Sequence, residues 1–106
     1  MPEMRFQVRW PDQSETDCYS PSLIIKEFLT PGQYYDLNDF VARTRRALEI
    51  ADERVFQKYG FYCTAARQQL KEIEDIALHQ PSGSSARVLV VRFSDEYPTA
   101  DGGTNG

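Results

Sequence analysis

Residues 37–59 carry the pattern that most limits how this 106-residue chain can fold. Their apolar side chains recur every three or four residues, as they do on the buried side of an amphipathic helix. Asp36 is a suitable N-cap, and Gly60 is the kind of residue that ends a helix in a left-handed conformation. The pattern predicts a helix of roughly 35 Å. Its predicted buried stripe is Leu37, Phe40, Val41, Leu48, Ala51, Val55 and Tyr59.

A second long helix is predicted directly after the first. The link "GFYC" at 60–63 is short, which favours an antiparallel helical hairpin. Thr64 is the expected N-cap, because threonine oxygens accept hydrogen bonds from the first helical N–H groups. The predicted inner stripe of this helix is Ala66, Leu70, Ile73 and Ala77.

A short helix is predicted over "LIIKEFL" at 23–29. Ser20 is the expected N-cap, and Pro21 suits the first helical position because its missing N–H is not needed there. The two isoleucines suit a strand almost as well, so the pattern favours the helix only modestly. The polar stretch "DQSETD" at 12–17 is expected to be a loop.

Two strands are predicted near the ends of the chain, at 4–10 and at 87–93. The first alternates strictly between apolar and polar residues. The second is apolar on both faces, with Leu89, Val91 and Phe93 on one and Val88 and Val90 on the other. Such a strand needs cover on both sides. The helical hairpin is expected to cover one face, and a second subunit either covers the other or extends the sheet edge.

The predicted fold class is therefore α+β: strand, short helix, long antiparallel helical hairpin and strand, with the two terminal strands paired. The direction of pairing is left open. Residues 1–97 are expected to form one globular domain. The small, polar residues at 98–106 are expected to be a disordered C-terminal tail.

The composition limits the partners and the location of the chain. A formal net charge of −4 argues against nucleic acid as a partner, since phosphate binding needs a net basic surface. No apolar run reaches the roughly 18 residues that span a bilayer, and the first residues do not resemble a signal peptide. We expect a cytoplasmic protein with reduced cysteines and no membrane partner.

The two cysteines, Cys18 and Cys63, form the candidate thiol site. Each lies within about two residues of a predicted helix start, where the helix dipole favours the thiolate. If the two helix starts meet, the pair can act as a dithiol. The alternative is that both are small buried residues in tight turns, as free cysteines usually are.

Neither a metal nor a cofactor is expected. Structural zinc needs four Cys or His ligands, usually in closely spaced pairs, and this chain has two cysteines and one histidine. His79 is expected in the last turn of the second long helix, where a cation is favoured by the dipole. Arg43 is expected to pair with Asp39, and Arg45 with Glu49, at i,i+4 spacing.

Aromatic residues cluster near the predicted helix ends. Tyrosine is common in interfaces because it combines a large rigid area with a polar tip. The cluster predicts either a small pocket or a docking surface, unless the rings only pack at the edge of the core. The candidate interface or pocket residues are Trp10, Tyr19, Tyr34, Tyr35, Tyr59, Phe61 and Tyr62.

Three stretches of this chain resemble a small bacterial family of nitrogen-starvation response proteins. They are "MPEMRFQVRWPD", "CYSPSLIIKEFLTPGQYYDLNDFVARTRRAL" and "ERVFQKYGFYCTAARQQLKEIE", which together cover residues 1 to about 78. The family is typically encoded beside a nitrilase, with a radical-SAM protein, an acetyltransferase-like protein and a flavin-dependent oxygenase nearby. The resemblance implies a role in scavenging nitrogen, from nitriles or cyanide, but no particular reaction.

Two functions follow as expectations. The first is a non-catalytic accessory protein, homo-oligomeric with a dimer favoured, that binds other proteins of the nitrilase-associated pathway. The second is a small enzyme, or a ligand or metal carrier, that uses Cys18 and Cys63. A third and weaker alternative is a small protein modified by the radical-SAM neighbour.

Overall fold

Two α-helices pack on one side of a four-stranded antiparallel sheet, so the predicted α+β class is confirmed. The computed structural model describes residues 3–81 and 86–94. The predicted tail at 98–106 lies outside the described residues. In chain order the elements are β1 (Met4–Arg9), β2 (Glu15–Ser20), a 3-10 helix (Leu23–Glu27), β3 (Tyr34–Asp36), α1 (Leu37–Tyr59), α2 (Thr64–Leu78) and β4 (Arg87–Ser94).

The first helix of the hairpin has the predicted boundaries, and the second begins one residue earlier than predicted. α1 ends at Gly60, whose φ of 82° is the left-handed conformation that glycine adopts without strain, and whose N–H donates to the Phe56 carbonyl at 2.8 Å. Asp36 is the N-cap residue of α1, but its side chain makes no capping hydrogen bond. Instead, the N–H of Leu37 donates to the Ala86 carbonyl at 3.0 Å. The Ala86 carbonyl, just before β4, therefore accepts a hydrogen bond from one of the first N–H groups of α1, which have no partner within the helix.

Two ion pairs show that α1 and α2 run antiparallel. Arg45 contacts Glu74 at 2.9 Å, and Arg67 contacts Asp52 at 2.8 Å. The expected pair of Arg45 with Glu49 is therefore wrong, because the nearer carboxylate lies on the neighbouring helix. The expected pair of Arg43 with Asp39 is confirmed at 3.0 Å.

The terminal strands β1 and β4 pair, as predicted, and they run antiparallel in the centre of the sheet. The strand order is β2-β1-β4-β3. Phe6 lies opposite Phe93 and Val8 lies opposite Val90, so one residue of β4, Val91, is extra between these pairs. This β-bulge changes which side chains share a face of the strand.

The bulge corrects the predicted faces of β4. Val88 and Val90 are fully buried, and Phe93 packs against the same core instead of sharing a face with Leu89. Leu89 lies opposite Arg9 and Tyr34, on the side away from the helices. The outer face of the sheet is therefore much less apolar than the alternation predicts.

Two short strands complete the sheet and were not predicted. The stretch 12–17 is a turn followed by the first half of β2, so its interpretation as a loop is wrong. β2 places Cys18 and Ser20 in the core, and such small or polar residues give no apolar alternation. α2 covers the edge of β2, where Gln69 accepts the Tyr19 N–H at 2.9 Å. Beyond these elements, Gln80 after α2 accepts the N–H of Asp12 in the turn before β2 at 3.1 Å.

The short helix forms, but as a 3-10 helix whose N-cap and first residue lie two residues later than expected. Its N-cap is Ser22, whose hydroxyl accepts the Ile24 N–H at 3.3 Å. Ser20 is the last residue of β2, and its hydroxyl donates to the Ser22 carbonyl at 2.7 Å. The roles expected for Ser20 and Pro21 are therefore wrong, and the chain bends at Pro21 and Ser22 before the helix begins.

The core lies between the sheet and the hairpin. Trp10 meets Phe40 edge to face, with ring centroids 5.5 Å apart, and the indole N–H donates to Thr16 at 2.9 Å. These contacts join β1 to the first turn of α1. None of the helices in the described part of the chain is both long and apolar enough to cross a membrane. The largest fully buried apolar side chains are Trp10, Phe6, Phe40, Met4, Ile25, Leu29, Leu48, Ile73, Val8, Val88 and Val90.

Candidate functional site

The turn between α1 and α2 exposes four aromatic side chains. Phe56, Tyr59, Phe61 and Tyr62 are 37%, 51%, 62% and 42% exposed. Tyr59 was predicted to lie on the buried stripe of α1, and its exposure shows that the stripe ends at Val55. Four large rings at one end of a small protein form the kind of exposed apolar patch that marks an interaction site. We call these four residues the aromatic turn.

One pair of rings faces the groove between the two helices. Phe56 and Tyr62 stack with centroids 4.5 Å apart, and the Arg67 guanidinium lies 4.2 Å from the centroid of Tyr62. Arg67 is held in place by Asp52 at 2.8 Å. A column of carboxylate, guanidinium and two rings therefore has a defined geometry at the surface.

Asp52 on α1 makes two hydrogen bonds that hold the turn in place. Asp52 is 8% exposed, and its carboxylate accepts the Cys63 N–H at 2.6 Å in addition to the contact with Arg67. The hydrogen bond to Asp52 raises the pKa of the exposed Arg67. The N-cap of α2 is Cys63 and not Thr64, and its side chain makes no capping bond. Asp52 satisfies an N–H group next to the helix start in place of a capping side chain.

The second pair of rings faces β2. Tyr59 and Phe61 stack with centroids 5.9 Å apart, and the Lys58 ammonium lies 5.6 Å from the centroid of Tyr59. Beside this pair is a cleft of about 220 Å³, which we call the turn cleft. Its lining residues are Glu3, Tyr19, Pro21, Val55, Tyr59, Phe61 and Cys63.

A second hollow adjoins the turn cleft and shares Glu3 and Tyr19 with it. It has a volume of about 420 Å³ and runs between β2 and α2. Its walls are mainly polar, so the two hollows together combine an apolar end with a polar rim. The lining residues of the second hollow are Glu3, Arg5, Tyr19, Ala65, Gln68, Gln69 and Glu72.

The two cysteines have different surroundings, and both are free thiols. Cys18 lies within β2 and is fully buried, so its expected place at a helix start is wrong. Burial raises the pKa of Cys18 well above its usual range, and the negative charges of Glu72 and Asp17 add to the effect. Cys63 does lie at a helix start, and it is half-buried in the wall of the turn cleft.

The predicted aromatic set divides into two groups. Tyr19, Tyr59 and Phe61 meet in the turn cleft, and Tyr62 lies on the other side of the same turn. The other three lie elsewhere. Trp10 is in the core, Tyr35 is half-buried with its hydroxyl accepting the Thr30 N–H at 2.9 Å, and Tyr34 is exposed on β3.

Sequence reasoning missed Phe56, Asp52 and Arg67. Phe56 follows the predicted stripe residue Val55, and position alone does not show that it stacks on Tyr62 across the turn. The position of Asp52 in the sequence does indicate a structural role. A carboxylate next to the stripe residue Ala51, and so close to the buried face of an amphipathic helix, needs a nearby donor.

The remaining polar candidates have structural roles. His79 is the C-cap residue directly after α2, just beyond the last turn in which it was expected, and its Nδ1 donates to the Asp75 carbonyl at 2.8 Å. Among the described residues, no group of three or more His, Cys, Asp and Glu side chains is arranged to hold a metal ion.

The family of this chain follows from a comparison with family models. The model described as nitrogen starvation-induced protein NitG matches residues 5–93, which include every strand and helix except the first residue of β1 and the last of β4. The chain belongs to the NitG family. The resemblance to nitrogen-starvation response proteins is thereby confirmed. No curated protein and no solved structure matches the chain.

Proposed function

We propose that this member of the NitG family is a non-catalytic accessory protein of nitrogen starvation. It binds a protein of a nitrilase-associated pathway that takes nitrogen from nitriles or cyanide. The observation that carries this proposal is the Tyr59–Phe61 pair beside the turn cleft, since large exposed rings next to a pocket are the usual anchors of protein interfaces.

The size of the turn cleft favours a protein partner over a small molecule. Clefts that hold small ligands usually measure roughly 300–1,000 Å³, and the apolar turn cleft measures about 220 Å³. The adjoining hollow of about 420 Å³ has mainly polar walls. The apolar part of the surface is therefore suited to one apolar side chain of a partner. Arg5 and Glu72 in the adjoining hollow provide polar groups around that anchor, as the rim of an interface does.

The rings are held before any partner binds. Gly60 ends α1 in a left-handed conformation at one end of the turn. At the other end, the Cys63 N–H donates a hydrogen bond to the Asp52 carboxylate. A surface that is already ordered loses little conformational entropy on binding, so more of the contact energy appears as affinity.

Co-purification with defined partners tests the proposal. The tagged chain is co-expressed with each protein of the nitrilase-associated cluster in turn, and the captured amount is measured. We expect the wild type to capture at least one of them. Phe61→Ser should reduce the captured amount by about tenfold or more, because truncated interface anchors typically cost at least about 1.4 kcal/mol.

Tyr34→Ser is the matched control, since Tyr34 is as exposed as Phe61 and lies on β3 instead of the turn. It should leave capture unchanged. A wild type that captures none of the cluster proteins would refute the proposal. Equal losses of captured protein in Phe61→Ser and Tyr34→Ser would refute the assignment of the binding surface to the turn cleft.

A further inference from the structure

The last strand of the sheet, β4, ends at the edge that borders the turn cleft. At this edge β1 begins and β2 ends, with Met4 paired to Ser20. Glu3 and Pro21, the residues just outside these two strands, both line the turn cleft. Ser94, the last residue of β4, pairs with the second residue of β1. The chain therefore leaves β4 beside the turn cleft.

The turn cleft is within reach of the residues that follow β4. The partner of Ser94 in β1 lies two residues from Glu3, and residues in this diagonal relation are roughly 7–8 Å apart. An extended chain advances at most about 3.3–3.6 Å per residue, so the segment from Ser94 to Tyr97 spans about 10 Å. Because Glu3 is itself part of the wall, this length brings the Tyr97 side chain to the turn cleft.

The stretch after β4 carries one large apolar side chain. Residues 95–101 read "DEYPTAD" and lie outside the described residues. Tyr97 is the only aromatic residue among them, and Pro98 follows it directly. A residue before proline favours an extended backbone, which gives the longest reach per residue. The sequence therefore places a single ring at the right distance from the turn cleft.

The turn cleft suits a tyrosine side chain. Its volume is about 220 Å³, and three of its walls are the rings of Tyr19, Tyr59 and Phe61. Aromatic rings pack well against one another in stacked or edge-to-face contacts. The adjoining hollow is mainly polar, so a hydroxyl group at the end of the ring also has partners there. An aromatic ring with a polar tip matches both parts of the surface.

We propose that Tyr97 occupies the turn cleft of its own chain when no partner is bound. Its ring packs against Tyr59 and Phe61 and covers Cys63 in the wall of the cleft. A short tether gives an effective concentration in about the millimolar range. A contact that is weak between separate molecules is therefore well populated within one chain.

The contact within the chain does not depend on the proposed function, but its effect on partner binding rests on that function. A partner that inserts an apolar side chain into the turn cleft must first displace Tyr97. Its apparent affinity is lowered by the fraction of molecules in which the cleft is open. Removing the ring of Tyr97 and removing that of Phe61 should therefore have opposite effects, since the first frees the surface and the second destroys it.

The native thiol of Cys63 reports whether the turn cleft is covered, because Cys63 lies in its wall. The rate at which iodoacetamide modifies the folded full chain is measured by intact mass. Tyr97→Ser should raise the rate at Cys63 by about tenfold, as expected if the cleft of the wild type is covered in about nine-tenths of the molecules. Tyr97→Phe keeps the ring and should react like the wild type. Tyr34→Ser, which removes an exposed ring on β3, is the matched control and should also leave the rate unchanged.

Three results would overturn the inference. The first is an equal rate of modification in the wild type and in Tyr97→Ser. The second is an equal rise of the rate in Tyr34→Ser, which would show a general loosening of the fold. The third is protection of Cys63 that disappears on dilution, because Tyr97 of a second copy would then cover the cleft.

A disulfide tests the same contact with a different readout. In Thr99→Cys, mild oxidation should join the new thiol to Cys63, since Thr99 lies two residues from the proposed anchor. Adding Tyr97→Ser keeps the tether equally long but removes the ring, and it should slow this reaction by about tenfold. Equal rates of disulfide formation with and without the ring would contradict the contact.

Capture of the cluster proteins separates this inference from the proposed function. Tyr97→Ser should raise the captured amount above that of the wild type. Faster modification of Cys63 in Tyr97→Ser, with no partner captured by any variant, would refute the proposed function and leave the contact within the chain intact. Capture by the wild type, with equal modification of Cys63 in both chains, would refute the contact and leave the proposed function intact.

Discussion

Asp52 connects the stability of this chain to its candidate function. It is a nearly buried carboxylate with two partners, the Cys63 N–H and the Arg67 guanidinium. Through these contacts it fixes the start of α2 and the cation that stacks on Tyr62. One nearly buried side chain on α1 therefore helps to position the Tyr62 ring and the start of α2.

Removing this carboxylate should weaken the fold. Asp52→Ala leaves the Cys63 N–H without its acceptor and should lower the free energy of unfolding by about 2–3 kcal/mol, as measured in urea. Asp52→Asn keeps a carbonyl acceptor and should lose about half as much. The neighbouring Glu53→Ala, whose carboxylate is exposed and bonded to Gln57, should change it by less than about 0.5 kcal/mol. Equal effects of Asp52→Ala and Glu53→Ala would contradict this role.

The two thiols should react differently. Burial and nearby negative charge raise the pKa of Cys18, so its thiolate is absent from the folded chain at pH 7–9. Iodoacetamide should modify only Cys63 in the folded protein and both residues in denaturant, as read by intact mass. Rapid modification of Cys18 without denaturant would contradict its buried position and restore the dithiol hypothesis.

The same pKa shift predicts how Cys18 affects stability. In the unfolded chain the thiol has its usual pKa of 9.0 and ionises as the pH rises through that value. In the folded chain its pKa is raised, so it stays neutral at the same pH. The unfolded state therefore loses its proton first, and Cys18 lowers stability as the pH rises through 9.

At the scale of elements, the hairpin turn depends on the backbone of Gly60. A Cβ added there would meet nothing within 4 Å, so only the left-handed conformation opposes substitution. Gly60→Ala should cost about 1–2 kcal/mol in free energy of unfolding. Gly60→Asn should cost less, because asparagine adopts this conformation more readily. If the two variants are equally stable in thermal or urea unfolding, the turn does not impose this conformation on the chain.

The elements also show what a sequence can reveal. α1, α2, β1 and β4 were predictable, because each has a regular apolar period of its own. β2 was not, since its inward residues Thr16, Cys18 and Ser20 are small or polar and depend on pairing with β1. The bulge at Val91 arises from the register between two distant strands, which no local pattern records.

The candidate site was predictable in part. The aromatic residues near the helix ends indicated a surface, and Tyr19, Tyr59 and Phe61 do meet in the turn cleft. Trp10 is buried in the core and not at the surface, because it continues the apolar alternation of β1. Phe56 was missed because its partner Tyr62 lies on the far side of the turn.

At the scale of the whole molecule, the helical hairpin separates two surfaces. One faces β2 and ends in the turn cleft, and the other follows the groove between α1 and α2 to Leu78. The outer face of the sheet is polar by comparison, with Arg5 paired to Asp17 and Arg9 to Glu15. The sheet therefore does not offer the apolar outer face from which the pattern of β4 predicted a second subunit, and the homo-oligomer stays a prediction.

The most direct test of the central claim is the affinity of the purified chain for the cluster protein that co-purification is expected to recover. Titration calorimetry should give a Kd that rises by about tenfold or more in Phe61→Ser and stays unchanged in Tyr34→Ser. The account predicts this difference because only Phe61 borders the turn cleft. An identical Kd for the wild type and both variants would show that the aromatic turn is not the binding surface.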